Sequence, residues 1–311
     1  MDASRITNNI TPQDVDVIVC TYNRAKQLAN LLHGLKVQTM PCDFFRILII
    51  DDGSSDGTQV LCQSHANTLP NLKYERATQN VGLSNARNIG LSLSNASFVL
   101  FTDDDCVPHP DWVKNMVEAL RKAPIVAGAI ETPEDNFWRL CHNISEFHPF
   151  MVGSKAREVR FIAGANMGFR REAIDFLGGF EPDRPMAEDM ELALRAGSLG
   201  RRIHFSPEAI VKHNPQRSGF LEIITYSAVH AQSTIHLRRA YRSHLRIPSF
   251  VLSAPFMCLL SPGIAAITTL KILFSNPVLF RRHPVALPVV FLAKIAWCIG
   301  ACQGLRSREE T

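Results

Sequence analysis

Residues 44–58 read FFRILIIDDGSSDGT. Phe44–Ile50 is an apolar run interrupted only by Arg46 and rich in β-branched and aromatic side chains, which predicts a strand buried on both faces. The run stops at Asp51-Asp52. Gly53 and the Ser, Asp and Thr residues after it can turn the chain sharply and cap a helix. Moving outward, the same rhythm repeats. VDVIVC at Val15–Cys20 predicts a second buried strand that ends in Thr21-Tyr22-Asn23-Arg24, and Ala25–Leu35 places Leu28, Leu31, Leu32 and Leu35 on one helical face. Leu72–Arg76 predicts a strand and Ser84–Ser94 a helix. FVLF at Phe98–Phe101 predicts another strand, followed closely by Asp103-Asp104-Asp105. Strand and helix alternating in this way predict an α/β domain with a mostly parallel sheet and helices on both faces. The polar strand ends would then share one crevice, because an open parallel sheet binds ligands beyond the carboxyl ends of its strands.

Further along, Trp112–Leu120 reads as a helix and Val126–Ile130 as a strand. Asp135–Arg160 lacks clear periodicity and is read as a loop or lid. Phe161–Arg170 leads into a helix at Arg171–Phe176, Met186–Ala196 is a helix, and Arg202–Phe205 and Ala209–His213 are two short strands. Phe220–Arg246 reads as an amphipathic helix ending in Arg238, Arg239, Arg242 and Arg246. Ile247–Leu270 carries no charge, and Val285–Leu305 is apolar apart from Lys294. Each stretch approaches the ~20 apolar residues that cross a bilayer core, although Pro248, Pro255 and Pro262 argue against one straight helix. The expected organisation is a polar tail over 1–13, the α/β domain over 14–220, a basic helix over 221–246 and apolar helices over 247–311.

The 311 residues suffice for one large domain with an appendage. Net charge is +4, unevenly placed: from Leu221 onward ten Lys and Arg face three acids, an excess of seven, leaving the remainder mildly acidic. A basic, apolar tail suits an anionic membrane surface, and no nucleic-acid partner is expected. The eight Cys include no CxxC pair, so free thiols in a reducing compartment are expected. The N-terminus has no apolar run of the kind a secretory signal needs.

Three carboxylates in a row after a buried strand repel one another unless a cation is near. A hard divalent ion takes oxygen ligands and keeps positions open for phosphate oxygens. Asp103-x-Asp105 therefore points to Mn2+ or Mg2+ and a diphosphate.

VIVCTYNRAKQL, ILIIDDGSSDGT, NVGLSNARNIGL, FTDDD, GANMGFRREAIDFLGGFEP and AEDMELALR occur in that order between Val15 and His213. Together they resemble the inverting family 2 glycosyltransferases of the GT-A fold. The resemblance implies a Rossmann-like nucleotide half and an acceptor half in one domain. It implies that Thr21, Tyr22 and Arg24 cradle the nucleotide base. Asp52, with Asp51 beside it, would accept a hydrogen bond from that base, and Asn80, Gly82 and Arg87 would flank the nucleotide. Asp103 and Asp105 match the metal pair, Asp104 lies near the ribose, and His213 completes the metal site in some relatives. Asp189 matches the general base, with Glu188 beside it at a helix start where negative charge is stabilised. Gly164, Ala165 and Asn166 match the acceptor side, while Glu191, on another helix face, is structural. Trp112 and Trp138 are read as packing residues.

Such an enzyme would move a sugar from a nucleotide-diphosphate-sugar, a UDP-sugar by default, to a sugar or lipid-linked acceptor, with the catalytic domain on the cytoplasmic side of a membrane and cell-surface polysaccharide or glycolipid as the expected product. Gln216-Arg217-Ser218 departs from the Gln-x-x-Arg-Trp signature of processive synthases, which implies addition of one or a few sugars. Two other readings compete: a sugar-nucleotide pyrophosphorylase, which would carry a Gly-rich loop that CTYNRAK lacks, and a non-catalytic membrane-associated binding protein of the same fold.

Overall fold

The structure is a computed structural model and describes residues 13–307. All but the last residue of the expected polar tail, and the chain end from Arg308, lie outside the described residues. The chain divides into two compact units. One takes in the residues up to Glu131 together with Lys155–Asn214, and the other takes in Thr132–Ser154 and the chain from Pro215.

In the first unit, β1 (Val15–Thr21), β2 (Phe45–Asp51), β3 (Leu72–Arg76) and β4 (Phe98–Thr102) form a parallel array in the order β3-β2-β1-β4. Branched and aromatic side chains make up most of β1, β2 and β4, where Val15, Val17, Phe45, Ile47, Leu100 and Phe101 are buried, while β3, at the edge, is largely exposed. The helices α1 (Ala25–Lys36), α2 (Thr58–His65) and α3 (Leu83–Leu93) connect them. The sheet then changes character. β8 (Asn166–Arg170) runs antiparallel to both β4 and β6 (Ile125–Glu131), β6 is parallel to β9 (Ile203–His213), and the short strands β5 (Cys106–Pro108) and β7 (Arg157–Val159) are antiparallel to β9. The parallel half thus continues into a mixed half, with α4 (Trp112–Leu120), α6 (Arg171–Leu177) and α7 (Glu188–Ser198) completing the unit. The two expected final strands are one. Its register against β6 shifts between Gly128 and Ala129, opposite Ser206 and Ile210. Pro207, which has no N–H to give a ladder, sits in that irregularity.

One polar side chain locks the mixed half. Asn166 is fully buried, its Oδ1 accepts from Trp112 Nε1 at 2.8 Å, and its Nδ2 donates to Ala129 O at 2.9 Å and Ala209 O at 2.8 Å. Asn166 was expected on the acceptor side, and that reading is corrected: its side chain is spent inside the sheet.

The second unit is helical. The supposed loop over 135–160 contains α5 (Phe137–Phe147), capped by Asn136, whose Oδ1 accepts from the backbone N–H of Trp138 and Arg139. α5 joins α8 (Phe220–Ala240), α9 (Arg242–Leu245), α10 (Ala254–Ser275), α11 (Pro277–Arg282) and α12 (Ala286–Arg306). Leu140, Cys141 and Ile144 of α5 pack with Ile223, Ile272, Val290 and Ala293. The expectation of free thiols is corrected in one place. Cys258 and Cys302 form a disulfide with a Cα–Cα distance of 6.1 Å, because α10 and α12 pack side by side. Trp138 lies half-buried against Phe137 and Phe220. α10 and α12 are both long and apolar enough to cross a membrane.

Candidate functional site

The parallel strands β1, β2 and β4 are neighbours, so their carboxyl ends meet at one edge of the sheet. Thr21 closes β1, and its hydroxyl donates to Asp104 Oδ2 at 2.8 Å. Tyr22 is exposed. Asn23 takes a left-handed conformation (φ 53°), which Asn tolerates better than most residues. Its Oδ1 accepts from Ser55 N at 2.8 Å, and its N–H donates to Ser54 Oγ at 2.8 Å. These two contacts tie the β1 loop to the β2 loop. The sequence offers Ser54 as a turn or cap residue and assigns Asn23 no role; the loop-to-loop tie they make is visible only in the structure. Arg24 follows, its Nη1 2.9 Å from Asp104 Oδ1 and 3.5 Å from Asp105 Oδ2.

Asp51 and Asp52 divide their work, since successive side chains at a strand end point to opposite faces. Asp51 is buried and holds the fold, accepting from Ser54 N at 2.8 Å and from the Tyr74 hydroxyl at 2.5 Å. Asp52 accepts from Val81 N at 2.7 Å and Gly82 N at 2.9 Å, fixing the loop that carries the exposed Asn80. Gly82 has φ 87°, and a Cβ there would meet open space, so its glycine answers to backbone conformation rather than crowding.

The three acids after β4 go three ways. Asp103 is held by Arg87 Nη2 at 2.9 Å and is the most exposed of the three. Asp104 turns back to Thr21 and Arg24, and burial pushes its carboxyl up to about 7 although the Arg24 guanidinium opposes this. Asp105 lies 3.4 Å from His213 Nε2. That last pairing follows from register: β5 runs antiparallel to the end of β9 with Cys106 opposite His213. One ligand atom each from Asp105, Cys106 and His213 lie within 4.8 Å of one another. The Cys106 thiol donates to Ala165 O at 3.7 Å. A carboxylate oxygen and an imidazole nitrogen brought together beside a second carboxylate form a donor set that fits a divalent ion.

Arg87 is the hub of the opposite side. It is almost wholly buried on α3, binds Glu188 through Nη1 and Asp103 and Gly164 O through Nη2, and lies over the Phe180 ring. Burial disfavours its charge, but Glu188 and Asp103 outweigh this and raise its pKa. In the other direction, burial raises the pKa of Glu188 while Arg87 opposes it. Ala187, at φ 64°, turns the chain into α7. Asp189 follows, its Oδ2 accepting from Gly164 N at 2.7 Å and its Oδ1 from Met190 N at 2.6 Å. A Cβ at Gly164 would stand 2.9 Å from Arg87 Nη2 and 3.2 Å from Asp189 Oδ2, so glycine keeps these side chains close. Ala165 is buried and gives its carbonyl to Thr102. Glu191 pairs with Arg195 at 2.8 Å, a structural role as expected. Two linked centres take in part of the sequence-derived site residues: Asp105–His213 with Asp104, Thr21 and Arg24, and Arg87–Glu188–Asp189 with Asp103 and Gly164. Asp52 and Gly82 share a separate contact, Tyr22 and Asn80 are exposed, and Asn166 and Asp51 serve the fold.

A sheet that is parallel in one half and mixed beyond, with acids at adjacent strand ends, is the GT-A arrangement of a glycosyltransferase. The model of glycosyl transferase family 2 matches residues 16–178, and that of glycosyl transferase family group 2 matches 98–299. The chain belongs to glycosyl transferase family 2. Glycosyltransferase AglE of Haloferax volcanii is 24% identical over 209 residues, 67% of this chain and 69% of AglE. The glucosyl-dolichyl phosphate glucuronosyltransferase of the same organism is 22% identical over 222 residues, 64% of this chain and 68% of that enzyme. Among solved structures, the mannosyltransferase PcManGT of Pyrobaculum calidifontis, in complex with GDP-Man and Mn2+, superposes with a TM-score of 0.58 at 23% identity, covering 94% of this chain and 79% of PcManGT. The protein is therefore a glycosyltransferase, which sets aside both the pyrophosphorylase and the non-catalytic readings.

Proposed function

We propose that the protein is a membrane-associated inverting transferase that moves one sugar from a nucleoside-diphosphate-sugar to an acceptor hydroxyl. The observation that carries this reading is the joint held by Arg87: one guanidinium binds both Asp103, at the end of β4, and Glu188, next to Asp189. Diphosphate-side and base-side groups are thereby fixed to each other.

In this reading Thr21, Tyr22, Arg24 and Asp52, with the loop over 80–82, receive the nucleoside. Asp105 and His213, with Asp103 at hand, would hold a divalent ion that supplies positive charge to the departing diphosphate. An imidazole in the donor set favours Mn2+ over Mg2+. Asp189 takes the proton of the acceptor hydroxyl as that oxygen bonds to the anomeric carbon and the bond to the nucleoside diphosphate breaks. Each Asp189 oxygen accepts one backbone N–H and keeps a lone pair for the acceptor. Gly164 and Ala165 leave room beside it.

The basic, apolar second unit and the dolichyl-phosphate-linked substrate in a relative's name support a lipid-linked acceptor. The test is Asp189→Asn. Transfer should fall by roughly 10²–10⁴-fold, while GDP- and UDP-sugars, titrated with Mn2+ or Mg2+, still raise the melting temperature as they do for the unmodified protein. Normal turnover by Asp189→Asn would overturn the assignment of the base.

A further inference from the structure

The second unit has two unlike sides. α12 packs on α8 along one side and on α10 along another. The α8 contact is intimate: a Cβ at Gly300 would fall 2.0 Å from Ala228 O, one at Gly304 would fall 2.9 Å from Gln232 O, and Gln232 donates to Gln303 at 2.8 Å. α8 carries exposed polar groups, among them Glu222, Thr225 and Arg239. α12 is also tied inward by its one charged residue short of the C-terminal end: Lys294 Nζ donates to Ser145 O at 2.7 Å and lies 3.8 Å from Glu146 Oε1 on α5. α10 is different. Phe256, Leu259, Leu260, Ile267, Leu270 and Phe274 recur at helical spacing and are all exposed, Leu259 at 74% and Phe274 at 77%. Of its apolar window 22% is buried, against 50% for α12.

We propose that the second unit seats on one leaflet of an anionic bilayer through this α10 face, with α12 behind it and neither helix crossing. This rests on the membrane association proposed above. If α12 spanned the bilayer, it would either strip off α8 or drag the carboxylate, imidazole and guanidinium groups of α8 into hydrocarbon, where they are rarely tolerated. A face that lies flat avoids both outcomes. Charge identifies the occupant. No Asp or Glu occurs between Glu222 and Glu309, while Lys271 beside the stripe and Arg281 just after it are exposed cations, joined by Arg282, which lies 3.9 Å from Glu134. Anionic headgroups match that rim; an acid-bearing protein partner would match the cations but not a stripe this uniformly apolar.

The experiment uses the full chain and vesicles of neutral phosphatidylcholine with or without phosphatidylglycerol. Flotation should require phosphatidylglycerol and be reversed by alkaline carbonate. Leu259→Glu/Phe274→Glu, both exposed and outside the site, should lower retention about tenfold or more while turnover of donor in detergent is unchanged. In sealed membranes, an impermeant maleimide should reach Arg281→Cys whenever it reaches the exposed Cys42 of the first unit. Carbonate-resistant binding, labelling of the two cysteines from opposite sides, or undiminished retention of the double variant would overturn the proposal, as would a dimer sealed by this face that ignores vesicles. Transfer activity is read separately, so loss of the membrane reading leaves the transferase reading standing.

Discussion

Arg87 joins the two centres of the site, and its geometry rather than its charge does so. A guanidinium addresses Glu188 with one nitrogen and Asp103 with another in a fixed planar fork, whereas a lysine ammonium must present all its donors from one nitrogen on a flexible stem. Arg87→Lys should therefore lower kcat by at least about tenfold with a smaller change in the donor KM, and should alter the pH profile of kcat, since Glu188 and Asp189 lose a fixed neighbour. Steady-state kinetics across pH would check this; a profile that merely drops without changing shape would indicate a purely structural loss. Much of the site could be read from sequence at this scale. What the sequence does place is the acids at strand ends, and the structure brings Arg87 and Asp189 to one side and His213 beside Asp105. Sequence did not reveal which way each acid turns. Asp51 and Asp52 are adjacent letters with opposite fates, and Asn166 reads like an acceptor-side residue until its three inward bonds are seen. A second residue gives a pH test. Burial alone would raise the pKa of Glu146, but Lys294 and His230 hold it well below the ordinary glutamate value. The stability this contributes is fully present above the unfolded pKa of about 4.3 and is lost as pH falls through the folded value. The melting-temperature gap between the unmodified protein and Glu146→Gln should stay wide near neutrality and close in acid.

Among elements, β1, β2 and β4 are legible because each is buried and locally apolar, whereas the exposed, charged β3 is marked only by its place between two helices. α5 is not legible, because its apolar residues Leu140, Cys141 and Ile144 are scattered among His, Arg and Asn, and the helices it packs against follow some eighty residues or more later in the chain. The Asn136 cap was the available signal. The segments 202–205 and 209–213 read as two strands, whereas β9 runs through Pro207 because its pairing with β6 absorbs a register shift there. The mixed half depends on Asn166. Asn166→Leu keeps the volume but leaves Trp112 Nε1 and the carbonyls of Ala129 and Ala209 without that partner, at a cost of about 1–3 kcal/mol for each buried group left unmet. Urea unfolding should show a loss of about 3 kcal/mol or more.

At the scale of the molecule, composition announced a front half and a basic apolar tail, but not that residues 132–154 belong with the tail. A chain can leave one unit and return to it, and a linear reading assigns every residue to the unit nearest in sequence. The disulfide was likewise invisible, since nothing in the spacing of Cys258 and Cys302 marks them as partners. It closes a separation of 44 residues, for which chain entropy gives up to roughly 4 kcal/mol. Cys302→Ser, or reduction, should lower the melting temperature of the second unit and leave the Mn2+-dependent melting shift of the first unchanged. The pairing of β5 with the end of β9 carries one more consequence. Asp105 emerges early in synthesis and His213 only when the last strand of its unit has been made, so the nascent chain cannot bring these two side chains together until that sheet has zipped shut. With the cation role proposed for that pair, metal capture would report a finished unit.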